Sequence, residues 1–135
     1  LSLHDALPIS TSAQLSDEHH ADRTNMAVNY IFEHYMRELP LEEVASHLGM
    51  KPTYFSRFFK RATGRCYVEF VNSLRISKSC ELLLDQDKPV TDVCFESGFN
   101  NLSNFNRRFQ QLKGMTPSCY RRLVEQRLTE QNLAG

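Results

Sequence analysis

Two copies of one pattern lie about fifty residues apart in the chain, and this repeat restricts the possible folds more than any other feature. The first part of the repeat pairs Pro40 with Pro89, Glu43 with Asp92, Val44 with Val93, and Gly49 with Gly98. After a slip of one residue it pairs Phe55 with Phe105, Arg57 with Arg107, Phe59 with Phe109, and Gly64 with Gly114. A solenoid usually needs at least about three repeats to cover its core, so two copies predict a pseudo-symmetric pair of small units.

Each copy has the spacing of a short helix, a turn and a longer helix. In the first copy, one apolar stripe ends at Gly49, where a helix would end with positive φ: Leu41, Val44, Ala45 and Leu48. A second stripe begins after Pro52 and ends at Gly64: Phe55, Phe58, Phe59 and Ala62. The corresponding residues of the second copy are Val90, Val93 and Cys94 before Gly98, and Leu102, Phe105, Phe109 and Leu112 before Gly114. Two helices joined by such a turn make a helix-turn-helix unit, and the phenylalanines are expected in its core.

The rest of the chain also predicts helices. Residues 67–84 contain neither Gly nor Pro and predict one connecting helix. Its roughly 18–20 residues would span about 27–30 Å. Residues 26–38 and 116–128 predict two flanking helices, and no Asn-Gly or Asp-Gly hairpin signal occurs. The sequence therefore predicts an all-α fold of seven helices, in which a long linker helix joins two helix-turn-helix units.

The domain is predicted to span residues 25–128, with units at about 40–64 and 89–114 and a frayed tail at 129–135. Residues 1–10, reading LSLHDALPIS, lack an initiator Met and resemble a translated adapter sequence. Residues 1–24 are therefore interpreted as a non-native start followed by a flexible linker. His19-His20 lacks a third ligand, so no metal site and no cofactor is predicted.

The four cysteines, Cys66, Cys80, Cys94 and Cys119, have no C-x-x-C spacing. They are expected to be free, buried thiols. The sequence also lacks G-x-S-x-G, a Gly-rich phosphate loop and HExxH, so no enzyme is predicted. No apolar run approaches the roughly 18–20 residues that a bilayer requires, and a soluble, cytoplasmic protein is expected.

Charge is segregated along the chain, although 16 basic and 16 acidic side chains give a formal net charge of zero. Residues 51–65 and residues 97–122 form two basic blocks without an acidic residue. The core stripes leave polar side chains on the outer faces of the two longer helices: Thr53, Ser56, Arg57 and Lys60, and Ser103, Asn106, Arg107 and Gln110. Such side chains can bond base edges or phosphates in a major groove that an α-helix fits, which predicts sequence-specific DNA binding. The alternative is a helical interaction module whose basic faces bind an acidic protein.

The order and spacing of these residues resemble the DNA-binding domain of AraC/XylS-type bacterial transcription regulators over residues 25–122. The most specific stretch contains Gly98-Phe99-Asn100, Ser103, Phe105, Arg107, Phe109, Gly114, Thr116-Pro117-Ser118 and Tyr120-Arg121. The first unit is similar, with Leu41, Ala45, Gly49-Met50, Tyr54-Phe55, Arg57, Phe59-Lys60, Thr63-Gly64 and Arg75-Ile76.

The resemblance implies that the second helix of each unit enters one of two adjacent major grooves on one face of double-stranded DNA. By position it implies base reading by Thr53, Ser56, Arg57, Ser103, Asn106 and Arg107. Backbone contacts would come from Lys51, Lys60, Arg61, Asn101 and Arg108. Members commonly activate transcription by recruiting RNA polymerase, and many carry a separate effector-binding domain, which is expected to be missing from this stretch.

Three departures from the family pattern affect the expected DNA contacts. Lys51 stands where Ser is frequent, which removes an N-cap worth about 1 kcal/mol but adds a cation near the phosphates. Asn104 stands where an aromatic residue is common, and Gln110-Gln111 where lysines are common. The second unit is therefore expected to bind the DNA backbone more weakly.

Overall fold

The computed structural model describes the backbone of residues 12–134 and the side chains of residues 19–133. Over this range the chain forms seven α-helices and no strand: α1 (Ser12–His34), α2 (Leu41–His47), α3 (Pro52–Thr63), α4 (Tyr67–Leu82), α5 (Val90–Glu96), α6 (Leu102–Lys113) and α7 (Pro117–Ala134). The predicted all-α fold with seven helices is confirmed.

The helices build two hydrophobic cores that share α4. The core of the first unit contains residues from α1, α2, α3, the first half of α4 and the segments between these helices: Ala27, Ile31, Leu39, Val44, Ala45, Leu48, Met50, Phe55, Phe58, Phe59, Tyr67 and Val71. The core of the second unit contains residues from the second half of α4, from α5 and α6, and from the segments that follow α4 and α5: Ile76, Leu83, Val93, Cys94, Phe99, Phe105 and Phe109. The phenylalanines predicted as core are thus buried in both units. The linker helix is therefore a packed part of both units.

The turns of the two units have the same local geometry. The backbone N–H of Met50 donates to the carbonyl of Ala45 over 2.9 Å, and that of Phe99 donates to the carbonyl of Cys94 over 3.1 Å. Gly49 and Gly98 lie between these partners with φ of 70° and 108°. The predicted positive φ at both turns is confirmed, and each turn directs its longer helix, α3 or α6, away from the preceding short one.

α2 is joined to α1 by the carboxylate of Glu43. Arg37 donates from Nη1 to Glu43 Oε1 over 3.0 Å and from Nη2 to Oε2, which also accepts from the hydroxyl of Tyr30. These hydrogen bonds from Arg37 and Tyr30 lower the pKa of Glu43 from its ordinary value of 4.5 to about 2. The join therefore depends on an ionised carboxylate near neutral pH.

Four helix ends differ from the predictions. α1 ends at His34, four residues before the predicted end. α1 begins at Ser12, so residues 12–24, predicted as a linker, are helical. The segment lacks Gly and Pro, and the prediction relied on an apolar stripe that starts only at Met26. α7 continues to Ala134 through the predicted tail for the same reason, and α4 ends at Leu82 because Leu83 and Leu84 turn into the following loop. The interpretation of residues 1–10 lies outside the described residues.

Some residues predicted in the core stripes are exposed. Ala62 and Leu112 line surface grooves, and Leu102 stands in the first turn of α6 with 38% of its surface accessible. On α1, Ala27 and Ile31 are buried whereas Met26 is 45% exposed. Cys94 is buried, but Cys119 is exposed on α7, so the expectation of four buried thiols is wrong there. At Met26, Ala62, Leu102 and Leu112 the buried stripe is therefore narrower than the sequence predicted.

Candidate nucleic-acid interface

α3 exposes the polar face that the sequence predicted. Pro52 occupies the first turn of α3, and Phe55, Phe58 and Phe59 fix its inner side by burial in the first core. The residues on its other side are all exposed: Lys51, Thr53, Ser56, Arg57, Lys60 and Arg61. Lys51 stands at the N-cap and makes no side-chain capping bond, as its sequence position predicted. The amino-terminal half of α3 therefore presents hydroxyls and cations together.

α6 presents a corresponding face with more internal hydrogen bonding. Ser103, Asn106 and Arg107 are exposed, and Phe105 and Phe109 hold the opposite side in the second core. Asn101 is the N-cap, and its side-chain oxygen accepts from the backbone N–H of Asn104 over 2.7 Å. Arg107 donates from Nη2 to the side-chain oxygen of Asn104 over 2.9 Å. The Asn104 side chain thus holds the Arg107 guanidinium at the surface.

Arg108 is placed differently from the other predicted backbone contacts. It is half-buried in a groove of about 390 Å³ between the two units, together with Arg65, Asn72 and Ser73. Its Nη1 donates to Gln111 Oε1 over 3.3 Å, while its buried Nε finds no hydrogen-bond partner among the described residues. Arg65, which was not among the predicted DNA contacts, lies in the same groove. Its Nη1 donates to Ser73 Oγ over 3.0 Å. The inter-unit groove therefore carries one cation from each unit.

α1 lies beside α3, which the sequence did not predict. The ring centroids of His20 and Phe58 are 5.7 Å apart. Together with Tyr54, Arg57 and Arg61, these rings line a groove of about 260 Å³. His20 is exposed, and its ring contacts the helix that carries Arg57.

One cation of the second basic block, Arg121, stabilises the fold through hydrogen bonds to the backbone. Arg121 is half-buried on α7 and donates to two backbone carbonyls, from Nε to Leu83 over 3.0 Å and from Nη2 to Lys88 over 2.7 Å. Those bonds fasten α7 to the loop between α4 and α5. Arg121 is therefore separate from the exposed face of α6, although it lies in the same block of the sequence.

Comparison with known proteins assigns this pair of units to a family. The profile of a family described as "Helix-turn-helix domain" matches residues 44–123, which covers both units and the helix between them. The chain belongs to the AraC-type helix-turn-helix family. The resemblance stated from the sequence is confirmed, and the AraC-type domain is a DNA-binding domain of transcription regulators, not an enzyme.

Two curated relatives are much longer than this chain. The chain is 34% identical over 107 residues to the regulatory protein PocR of Salmonella typhimurium, with 79% of this chain and 35% of the relative covered. It is 31% identical over 100 residues to the melibiose operon regulatory protein of Escherichia coli, with 74% and 33% covered. The chain spans about a third of the length of these relatives.

Two solved structures have a similar arrangement of helices. The C-terminal domain of AraT, a response regulator from Geobacillus stearothermophilus, is 30% identical, with a TM-score of 0.71 and 75% of this chain and 84% of that chain covered. The DNA-binding domain of AdpA, solved in complex with a target DNA, is 24% identical, with a TM-score of 0.73 and coverages of 77% and 94%. This second likeness supports the fold.

No helix within residues 12–134 is both long and apolar enough to cross a bilayer.

Proposed function

We propose that this AraC-type domain binds double-stranded DNA sequence-specifically by inserting α3 and α6 into two adjacent major grooves on one face. The observation that carries the proposal is the exposure of matched polar faces on two helices whose opposite sides are fixed in cores sharing α4. An α-helix fits the major groove, and the side chains on both faces can bond base edges.

The base-reading side chains are proposed at matched positions of the two helices. In α3 they are Thr53, Ser56 and Arg57, and in α6 they are Ser103, Asn106 and Arg107, all of them exposed. Arg57 and Arg107 are suited to bidentate donation to guanine, and Asn106 to the adenine edge. Asn104 supports this role for Arg107 because it already holds the guanidinium at the surface.

The phosphate contacts are proposed at Lys51, Lys60, Arg61, Asn101 and Arg108. Lys51, Lys60 and Arg61 surround the reading face of α3 and are exposed. Asn101 uses its side-chain oxygen to cap α6. Its side-chain N–H groups therefore remain available to donate to a phosphate. Arg108 would reach DNA only from the inter-unit groove, with its Nη groups as the donors, because its Nε is buried.

Salt dependence and sequence preference together test the proposal. Binding to a specific duplex should weaken with a log–log slope of about −0.9 per phosphate contacted, and should exceed binding to random duplex by about 10³-fold or more. The measurement is a fluorescence-anisotropy titration of both duplexes at several salt concentrations. Equal affinity for every duplex, combined with tight binding to an acidic protein, would instead favour the interaction module.

The regulator is further proposed to activate transcription by contact with RNA polymerase and to act at the nucleoid. Glu81, Asp85 and Asp87 lie on the end of α4 and the following loop and are all exposed. These acidic residues are separated along the chain from both reading faces. Charge reversal at the three positions should reduce activation of a reporter without changing DNA affinity, and unchanged activation would exclude this contact surface.

A further inference from the structure

Arg75 lies on α4 where the two cores meet. Val71, one turn before it, belongs to the first core, and Ile76, directly after it, belongs to the second. The half-buried guanidinium donates from Nε to the carbonyl of Tyr35 and from Nη2 to the carbonyl of Arg37, each over 2.8 Å. One side chain of the linker helix therefore holds the segment that follows α1 in the first unit.

The same guanidinium also contacts the second unit. Its central carbon lies 6.0 Å from the ring centroid of Phe99, which follows the turn glycine of that unit. A Cβ added to Gly98 would lie 2.5 Å from the Tyr35 carbonyl oxygen, 2.8 Å from Arg75 Nε and 3.0 Å from Met36 Cα. The second unit's turn thus approaches the end of α1 so closely that a side chain at Gly98 would collide. We refer to Arg75, Gly98, Phe99 and the two carbonyls as the Arg75 junction.

The chemistry of the Arg75 junction suits a rigid connection. Carbonyls at the end of a helix lack partners within that helix, and a cation there is stabilised by the helix dipole. A guanidinium is planar and donates in fixed directions, so its two bonds to the carbonyls of Tyr35 and Arg37 define its orientation, and the ring of Phe99 adds a third contact.

The junction supplies a second connection between the units besides the linker helix itself. α4 has 16 residues, which corresponds to about 24 Å, and its two halves pack in different cores. A single connecting helix leaves the units free to bend and rotate about it, whereas a second contact point removes that freedom.

We propose that the Arg75 junction sets the spacing and relative orientation of α3 and α6, so that Arg75 is a positioning residue for selection between DNA sites with different spacings of their two halves. This inference rests on the proposed two-groove binding. One added base pair moves a half-site by about 3.4 Å along the duplex and rotates it by about 34°, so a rigid pair of units should reject it.

The DNA test compares Arg75→Met with the unchanged chain on a selected duplex and on duplexes with one base pair added or removed between the half-sites. The unchanged chain should prefer the selected spacing by about tenfold or more. Arg75→Met should reduce that preference to about threefold or less, while its affinity for a single half-site stays within about twofold. A preference that stays at the original value in Arg75→Met would overturn the proposal.

Arg121→Met is the matched control. Arg121 is also a half-buried arginine that donates to two backbone carbonyls, but it fastens α7 to the second unit. Arg121→Met should lower the melting temperature as Arg75→Met does, but it should keep the preference for the selected half-site spacing. An equal loss of preference in both variants would assign the effect to general destabilisation and contradict the proposal. Arg75→Lys, which keeps the charge without the planar fork, gives a milder second variant should Arg75→Met unfold.

A measurement without DNA separates this inference from the proposed function. Spin labels attached to an unnatural amino acid at positions 60 and 110 report the distance between α3 and α6. The distance distribution should be narrow in the unchanged chain and in Arg121→Met, and broad in Arg75→Met and Arg75→Lys. An unchanged distribution in the Arg75 variants would refute the junction's role, whereas a failure to bind duplex specifically would refute only the proposed function.

Discussion

At the scale of single residues, the two proposed guanine-reading arginines are held by different neighbours. Arg107 donates to Asn104, one turn earlier on α6, whereas Arg57 lines the groove between α3 and α1 beside His20. The sequence pairs Arg57 with Arg107 by the repeat but contains no signal for either neighbour. The hydrogen bond from Arg107 to Asn104 depends on how the two side chains are oriented. The position of His20 beside Arg57 depends on the extension of α1 well before its apolar stripe.

Removal of either arginine should weaken specific binding. Arg57→Ala and Arg107→Ala are each expected to reduce the free energy of binding to a selected duplex by about 1–3 kcal/mol, since a bidentate base contact is lost, and to change binding to random DNA little. Parallel titrations of the two duplexes at one salt concentration measure this. Arg127→Ala, an exposed cation on α7, should change neither. Equal losses on both duplexes would show that the arginines contact only phosphates.

The two turn glycines should differ in their tolerance of a side chain. Gly49 has φ of +70° with nothing within 4 Å of an added Cβ, whereas Gly98 has φ of +108° and three atoms within 3.0 Å. Gly49→Ala should therefore lower the free energy of unfolding by about 1–2 kcal/mol, from backbone conformation alone. Gly98→Ala should lower it by about 1–3 kcal/mol more because of the collision, and Gly98→Val should unfold the second unit locally. Equal unfolding free energies of the two alanine variants in urea would contradict this close approach.

At the scale of helices, the sequence predicted all seven elements from their periodicity but not the side-chain positions that distant contacts determine. The stripes of Phe55 and Phe59, and of Phe105 and Phe109, predicted α3 and α6 because their burial alone decides which side faces inward. The proposed reading faces follow from the same stripes. The position of Arg108 could not be predicted, because the groove around it depends on how α6 packs against α4.

The join between α1 and α2 should be sensitive to acid. The pKa of Glu43 falls from 4.5 to about 2 in the folded chain, so its carboxylate stabilises the fold above pH 4.5 and this contribution is lost as the pH falls toward 2. Glu43→Gln should therefore melt below the unchanged chain at pH 7, with the difference closing between pH 4.5 and 2. Thermal unfolding followed by circular dichroism across this range measures it.

Asp92→Asn is the control for the acid effect. Asp92 occupies the matching position of the second unit and forms no ion pair within the part of the chain that the structure describes. Its replacement removes only a carboxylate in the first turn of α5, so it should lower the melting temperature at pH 7 by less than Glu43→Gln does. If the melting temperature of Glu43→Gln stays below that of the unchanged chain by the same amount from pH 7 to 2, shape and not charge holds the two helices together.

At the scale of the whole molecule, two similar units share one helix and meet again at the Arg75 junction. The repeat in the sequence predicted that there are two units, but their mutual orientation depends on Arg75 and on carbonyls 40 and 38 positions earlier, which no local pattern reports. Net charge likewise averages to zero, although α3 and α6 each carry exposed cations and no acidic residue. Two polar faces carried by one rigid body are what binding to adjacent major grooves requires.

Selection of bound duplexes from a random-sequence pool tests the two-groove proposal most directly. Two short sequence motifs should be enriched, with their centres about 10–10.5 base pairs apart, since successive major grooves on one face recur at that interval. Enrichment of one isolated motif, of two motifs at variable separation, or of no motif at all would contradict insertion of both α3 and α6 into adjacent grooves.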